Sequence, residues 1–229
     1  MRRFSLLFVL MFALGIGSAR ATIALVAHTY VNNGTTPAIN TTGATLLVIA
    51  ASAYGGMAAP TDSKGNSWAK INTYTGDTQN VTIYYAYNPI VGASHTFSVA
   101  RSYENIFVSA WSGTSTASTV LDAHNGYAPF DVSMTSIQPG SITPAMSGEL
   151  IITVLGTATN ATGYAIDSSF TILDQQTAAL EYGADAYLID ANANAINPKW
   201  SWTTSQYAAA CIASFKPASA QNTGRAVIF

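Results

Sequence analysis

Apolar and polar residues alternate with a period of two along most of the chain, and short clusters of Gly, Pro, Asn and Asp separate the alternating segments. Residues 81–87 show the alternation most clearly, because the odd positions form an apolar and aromatic face. Successive side chains of a β-strand point to opposite faces, so this pattern predicts strands with one buried face. Further strands are predicted at 23–31, 67–74, 95–99, 106–111, 170–173, 180–189 and 200–204.

Two segments, 46–51 and 150–155, are apolar on both faces, which predicts central strands that are covered on both sides. Ten or more short strands at this spacing indicate an all-β, two-sheet antiparallel β-sandwich of jelly-roll-like type. About 208 residues after position 21 fit one such domain, so we predict a single domain at 22–229. The interval 113–143 has no clear strand pattern and is predicted to form long loops.

The first 21 residues have the three parts of a secretory signal peptide. Arg2 and Arg3 form a basic start, residues 4–16 are apolar, and Ala19 and Ala21 give a small-x-small cleavage site. The apolar run is shorter than the roughly 20 residues that a membrane-spanning helix needs. We therefore expect cleavage after Ala21 and a secreted, periplasmic or cell-surface protein with no membrane association afterwards.

The chain carries few charges, and their balance excludes several classes of partner. Without residues 1–21, six Lys and Arg stand against eleven Asp and Glu, a formal net charge of −5. Nucleic acids and anionic membranes need basic patches, so neither is a predicted partner. The single cysteine, Cys211, cannot form an intramolecular disulfide and lies in an apolar run, so we expect a buried thiol.

Catalytic motifs are scarce in the sequence. It contains no G-x-S-x-G, H-E-x-x-H or C-x-x-C, and Ser67 and Lys70 match S-x-x-K only within a predicted strand, where the two side chains face opposite ways. Glu104 and Glu149 fall at strand beginnings, where solvated carboxylates are expected. Glu181 and Asp185 share one strand face, which we interpret as a solvated face in preference to a cation site or an acid–base pair.

Metal-binding candidates are limited to one group in the predicted 113–143 loops. Asp122, His124 and Asp131 supply carboxylate and imidazole ligands there. Residues 62–66 superficially resemble a calcium loop, but an Asx-type turn explains them. His28 and His95 lie in strand patterns and are predicted to be structural. No cofactor is predicted, and calcium stays an open alternative that no ligand spacing supports.

Aromatic side chains are the main candidates for ligand contact. Tyr127 and Phe130 lie in the predicted loops and are expected to be exposed, and Trp111 is the third candidate ligand-binding residue. Trp200 and Trp202 alternate with polar residues and therefore face one way, which favours the core over an exposed platform.

Six segments in chain order resemble a series found in exported bacterial β-sandwich domains of no established activity. They are DSKGNSW (62–68), IYYA (83–86), GASHTFSV (92–99), AWSG (110–113), GELI (148–151) and the last predicted strand with its lead-in (202–215). Trp111 stands where the relatives usually have Tyr. The resemblance implies a sandwich that serves as a module of surface or adhesive proteins, and it implies no catalytic residue.

Three functions are open on these observations. The first is a non-enzymatic binding or surface-structural module that contacts a polysaccharide or another surface protein. The second is a carbohydrate-binding module that stacks sugar rings on Tyr127 and Phe130. The third, ranked last, is a polysaccharide hydrolase or lyase with Glu181 and Asp185 as acid and base, because same-face strand positions four apart are separated by roughly 13 Å.

Overall fold

The computed structural model describes residues 22–158, 161–177 and 181–219, and every regular element in these ranges is a β-strand. The first half of the chain forms β1 (Ala24–Asn32), β2 (Gly34–Thr35), β3 (Leu46–Tyr54), β4 (Thr61–Asp62), β5 (Ala69–Lys70), β6 (Tyr74–Thr75), β7 (Gln79–Tyr87), β8 (Phe97–Val99) and β9 (Glu104–Ser112). The second half forms β10 (Leu121–Tyr127), β11 (Met134–Ile137), β12 (Glu149–Thr157), β13 (Ala165–Ile166), β14 (Thr171–Gln176), β15 (Tyr182–Asp190), β16 (Trp200–Gln206) and β17 (Ala208–Phe215).

The strands form two large and two small sheets. One large sheet has the order β1-β9-β3-β7-β5, with β6 also paired to β7, and the other has the order β10-β17-β12-β15-β14. The small sheets have the orders β2-β8-β4 and β11-β16-β13. Every strand pair is antiparallel, which confirms the predicted all-β class.

The two large sheets pack face to face, and each small sheet covers an outer face. The central core takes side chains from both large sheets, including Phe107 and Trp111 from one and Phe215 from the other. Two outer cores lie beneath the small sheets. The central strands β3 and β12 are therefore buried on both faces, as predicted from their continuous apolar runs. Trp200 and Trp202 lie in the outer core of the second half, which confirms their predicted core position.

The two halves of the chain repeat one topology. Strands β1 to β9 and β10 to β17 have the same order in their large and small sheets, and the chain completes one large sheet before it begins the other. Ser52 of β3 meets Gly156 at the corresponding position of β12, where an added Cβ would lie 2.8 Å from the Ser52 Cβ. The sheets approach closely here, so this position of β12 requires glycine.

The interval 113–143 differs from its prediction, because β10 and β11 lie within it. β10 is an edge strand paired with β17, and all its residues except Tyr127 are partly buried. An edge strand of this kind carries a weak alternation, which explains why the sequence indicated loops. The predicted signal peptide lies outside the described residues. None of the described residues forms a helix that could cross a membrane.

Candidate ligand-binding surface

The most exposed aromatic side chains of the second half lie at the end of β10 and in the segment after it. Tyr127 is 52% exposed, Phe130 63% and Val132 45%. Exposed apolar side chains that cluster within six residues mark an interaction surface more strongly than isolated ones do. We call the segment from Tyr127 to Val132 the aromatic loop. Its exposure agrees with what was expected of Tyr127 and Phe130.

A shallow groove of about 260 Å³ lies beside the aromatic loop. Tyr127 forms one side, and Met134, Ser136, Gln138 and Lys199 contribute to the rest. Met134 and Ser136 lie on β11, Gln138 follows it and Lys199 precedes β16, and these segments are held together because β11 pairs with β16. The groove therefore combines an aromatic ring with hydroxyl, amide and ammonium groups, a mixture that suits a polar ligand with one apolar face.

The base of the aromatic loop is held by close packing against the first half. The ring of Tyr74 lies so near Gly126 that an added Cβ would be 2.3 Å from it, and the Tyr74 hydroxyl contacts His124 Nδ1 at 3.1 Å. A Cβ at Gly76 would lie 3.0 Å from the carbonyl oxygen of Pro129. The loop thus rests on a packed base, as binding loops on rigid scaffolds do.

A second groove, of about 530 Å³, lies at the other end of the first large sheet. Trp68, Tyr87 and Ile90 line it. Trp68 is anchored to the interior, because its Nε1 donates to Asp62 at 3.0 Å and its ring packs edge-on against Phe97. Tyr87 is 40% exposed. This groove therefore offers one free aromatic ring, fewer than the aromatic loop does.

Trp111 does not belong to either groove, which corrects its assignment as a ligand-binding residue. It lies on β9 between β1 and β3, and its side chain is fully buried between the large sheets. Its Nε1 donates to Ser109 Oγ at 2.8 Å, and its ring packs 4.9 Å from that of Tyr187 in the opposite sheet. Trp111 is a core residue.

The structure does not bring the three candidate metal ligands together. Asp122 lies 3.0 Å from Lys216 Nζ and accepts a hydrogen bond from the backbone N–H of Ala145 at 2.7 Å. His124 contacts Tyr74, and Asp131 is exposed on the aromatic loop. In the part of the chain that the structure describes, no three His, Cys, Asp or Glu side chains form a group that could hold a metal ion.

Four acidic side chains that were expected in solvent are buried, so that expectation was wrong. Glu104 and Glu149 are fully buried, and Glu181 and Asp185 are almost so. Burial raises the pKa of Glu104 to about 7, although the N–H of Ala58 and the charge of Arg101 partly offset this. Burial also raises the pKa of Glu149, and burial and nearby Asp174 raise that of Asp185.

Glu181 is the most strongly shifted of the glutamates. Burial raises its pKa to about 9, the side-chain amide of Gln79 partly offsets the shift, and Glu104 increases it. Glu181 is therefore protonated at neutral pH. Since Asp185 is buried as well and accepts the backbone N–H of Asp174 at 3.0 Å, a polysaccharide has no access to this pair. The two residues fit a structural role better than an acid–base one.

Asp62, His95 and Thr41 form a hydrogen-bonded chain that has the composition of a nucleophile–base–acid triad. His95 Nε2 contacts Asp62 Oδ1 at 2.8 Å, and His95 Nδ1 contacts Thr41 Oγ1 at 2.9 Å. The side chains of Asp62 and His95 have no exposed surface, and Thr41 is also buried. Asp62 further accepts the backbone N–H groups of Lys64 and Asn66, which confirms the predicted Asx-type turn. This hydrogen-bonded series ties β4 to the segments before β3 and β8, and the structural role predicted for His95 is confirmed.

Fold and surface together define an antiparallel all-β protein with an exposed aromatic loop on a packed base. Comparison with family models, with curated proteins and with solved structures gives no match.

Proposed function

We propose that this chain is an exported, non-enzymatic binding module, and that the aromatic loop with its groove is the contact surface. The observation that carries the proposal is the exposure of Tyr127 and Phe130, at 52% and 63%, in one short segment. Leaving such rings in water costs free energy, and a partner that covers them would recover it. Contact with a partner therefore explains why the two rings are exposed.

The chemistry of the groove favours a carbohydrate as the ligand class. Aromatic faces pack against the apolar faces of sugar rings, while hydroxyl and amide groups pair with sugar hydroxyls. Tyr127 supplies a ring in the groove and exposed Phe130 a second ring on the adjoining aromatic loop, and Ser136, Gln138 and Lys199 supply polar groups. Another surface protein is the alternative partner, and the experiment below separates the two.

Two observations support the non-enzymatic part of the proposal. Burial of Glu181 and Asp185 removes the one acid–base pair that the sequence offered. Burial of the Asp62–His95–Thr41 hydrogen-bonded chain leaves this triad-like arrangement without access to a substrate.

Export is supported by the signal-like residues 1–21, and the state of the lone thiol is compatible with it. Cys211 is fully buried in β17. An exposed thiol would form intermolecular disulfides in an oxidising compartment, and a buried one would not.

The test is a screen of the protein without residues 1–21 on glycan arrays and on a general panel of hydrolase substrates. We expect binding to a defined set of glycans and no turnover. Turnover that disappears when one acidic residue is changed would overturn the proposal. Absence of glycan binding, with specific retention of another surface protein, would move the ligand class from carbohydrate to protein.

A further inference from the structure

A polar row crosses the outer face of the first large sheet near one end. Asn80 of β7 and Glu104 of β9 flank Ala53 of β3, because Ala53 pairs with both. Asn80 is only 5% exposed and Glu104 is fully buried. Asn80 Oδ1 and Glu104 Oε1 have no hydrogen-bond partner among the described residues. Native proteins leave few such buried atoms unpaired, so the two unpaired acceptors in one row are unusual.

A pocket of about 340 Å³ opens beside this row. Asn80 and Tyr84 line its sheet side, Gly55 and Gly56 line another wall, and Lys70 is among the remaining lining residues. The volume is at the lower end of the range for small-molecule sites. The unpaired oxygen of Asn80 therefore belongs to a side chain that faces a cavity.

The glycine-rich wall of the pocket is fixed by the buried groups behind it. Glu104 Oε2 accepts the backbone N–H of Ala58 at 3.0 Å, and the Tyr84 hydroxyl donates to the Ala58 carbonyl at 3.2 Å. The Arg101 guanidinium lies against Gly55 and Gly56 from outside the pocket lining. These contacts hold the wall in place without any ligand, which lowers the entropic cost of binding.

The second half of the chain shows that the fold does not require polar residues here. The corresponding row is Tyr182–Thr157–Ala208, in which Thr157 pairs with both neighbours. The Thr157 hydroxyl meets the Tyr164 hydroxyl at 2.6 Å, so this row has a hydrogen-bonded cover and no carboxyl group. The same topological position is thus closed in one half and carries a pocket with unpaired acceptors in the other.

The charges around the pocket are balanced. Lys70 and Asp77 are both exposed lining residues of opposite sign. Behind the wall, Arg101 lies near the Glu104 carboxyl and stabilises its charged form. A strongly charged ligand would disturb this balance, whereas a neutral ligand with hydroxyl donors would pair with Asn80 Oδ1, which is buried in the empty protein and would reach the ligand by rotation of the side-chain amide.

We propose that the pocket lined by Gly55, Asn80 and Tyr84 binds a small uncharged molecule that carries hydroxyl groups. The buried acceptor costs free energy in the empty protein, and a hydroxyl donor recovers it. Gly76 of this pocket contacts Pro129 of the aromatic loop, but the pocket shares no lining residue with the groove beside that loop. The inference does not rest on the function proposed for the aromatic loop.

The test is a titration of the 15N-labelled protein with glycerol, myo-inositol, D-glucose and N-acetyl-D-glucosamine, followed by amide chemical shifts. We expect saturable shifts of the Gly55, Gly56 and Asn80 amides with at least one probe. Asn80→Leu should weaken binding about ten-fold or more, the effect of losing one hydrogen bond to a buried group. The same variant should melt at an equal or higher temperature, because it removes an unpaired buried oxygen.

Tyr127→Ala is the matched control, since it alters the other surface and should leave this binding unchanged. Asn80→Ala serves as the second variant if the leucine does not fit. Failure of all four probes to give saturable shifts at the pocket would overturn the proposal, as would equal affinity in a folded Asn80 variant. A loss of polysaccharide retention in Tyr127→Ala bears only on the aromatic loop.

Discussion

Replacement of Glu181 by Gln should stabilise the protein at neutral pH. The carboxyl has an ordinary pKa of 4.5 and a pKa of about 9 in the folded state, mainly because it is buried. The folded protein therefore binds a proton more tightly than the unfolded chain, and stability falls as pH rises from 4.5 towards 9. One pKa unit corresponds to about 1.4 kcal/mol, so holding this proton at pH 7 costs about 3 kcal/mol.

Gln has the shape of a protonated Glu and carries no charge, so Glu181→Gln removes this cost and keeps the neighbouring Gln79 in contact. We expect the free energy of unfolding to increase by about 3 kcal/mol at pH 7, a rise in Tm of about 6–12 °C for a protein of this size. At pH 4 the wild-type carboxyl is largely protonated in both the folded and the unfolded state, so the gain should fall to a few tenths of a kcal/mol at most.

The assay is urea denaturation of the wild type and the variant at pH 4 and pH 7, with the slope of the transition compared as a check on the unfolded state. Asp131→Asn is the matched control, because Asp131 is exposed and Asn tolerates its positive φ of 54°. No gain at pH 7, or a gain of equal size at pH 4, would refute the reasoning.

Three further predictions concern stability and reactivity. Gly156→Ala should destabilise the fold by about 1–3 kcal/mol in thermal or urea unfolding, because its Cβ would lie 2.8 Å from that of Ser52; an unchanged Tm would contradict the close approach of the sheets. Asp62→Ala should cost about 3 kcal/mol or more, since the carboxylate accepts hydrogen bonds from four residues. Burial raises the pKa of Asp62, but these bonds lower it below 3.8 on balance, so its contribution should be lost as pH falls below 3.8. Cys211 should react slowly with a thiol reagent in the native protein and rapidly after unfolding, and fast native labelling would show that β17 is misplaced.

The strands could be predicted where the local sequence pattern alone shows which of their faces are buried. Residues 46–51 and 150–155 are apolar on both faces, and they became β3 and β12, buried on both sides. Trp200 and Trp202 alternate with polar residues, and both are buried as predicted. The pairing of the sheets, their four layers and the repeated topology could not be predicted, because they depend on contacts between residues far apart in the chain.

The burial of the glutamates could not be predicted from the sequence for the same reason. Glu104 begins a strand and appears solvated in the sequence, but it contacts the backbone of Ala58, 46 residues away. The local alternation of apolar and polar residues contains no information about a neighbour so far away in the chain. Polar residues at the end of a strand, such as Gln79 and Asn80 at the start of the aromatic strand β7, are a signal that could have drawn attention to this end of the sheet.

The candidate binding residues were predictable only where they lie outside regular packing. Tyr127 and Phe130 are exposed, as a polar and turn-rich context indicated. Trp111 could not be placed, because an aromatic residue on a strand fits both a core and a platform until the covering sheet is known. The binding role of the aromatic loop stays a prediction.

The most direct test of that role is affinity electrophoresis in a gel that contains the polysaccharide selected by the glycan screen. Wild type, Tyr127→Ala and Tyr87→Ala are compared, because both tyrosines are exposed but lie on different grooves. Tyr127→Ala removes a ring from the centre of the contact, so its affinity for the polysaccharide should fall about ten-fold or more. Tyr87→Ala should migrate like the wild type. Unchanged retention of Tyr127→Ala, or a loss confined to Tyr87→Ala, would contradict the assignment of the aromatic loop as the binding surface.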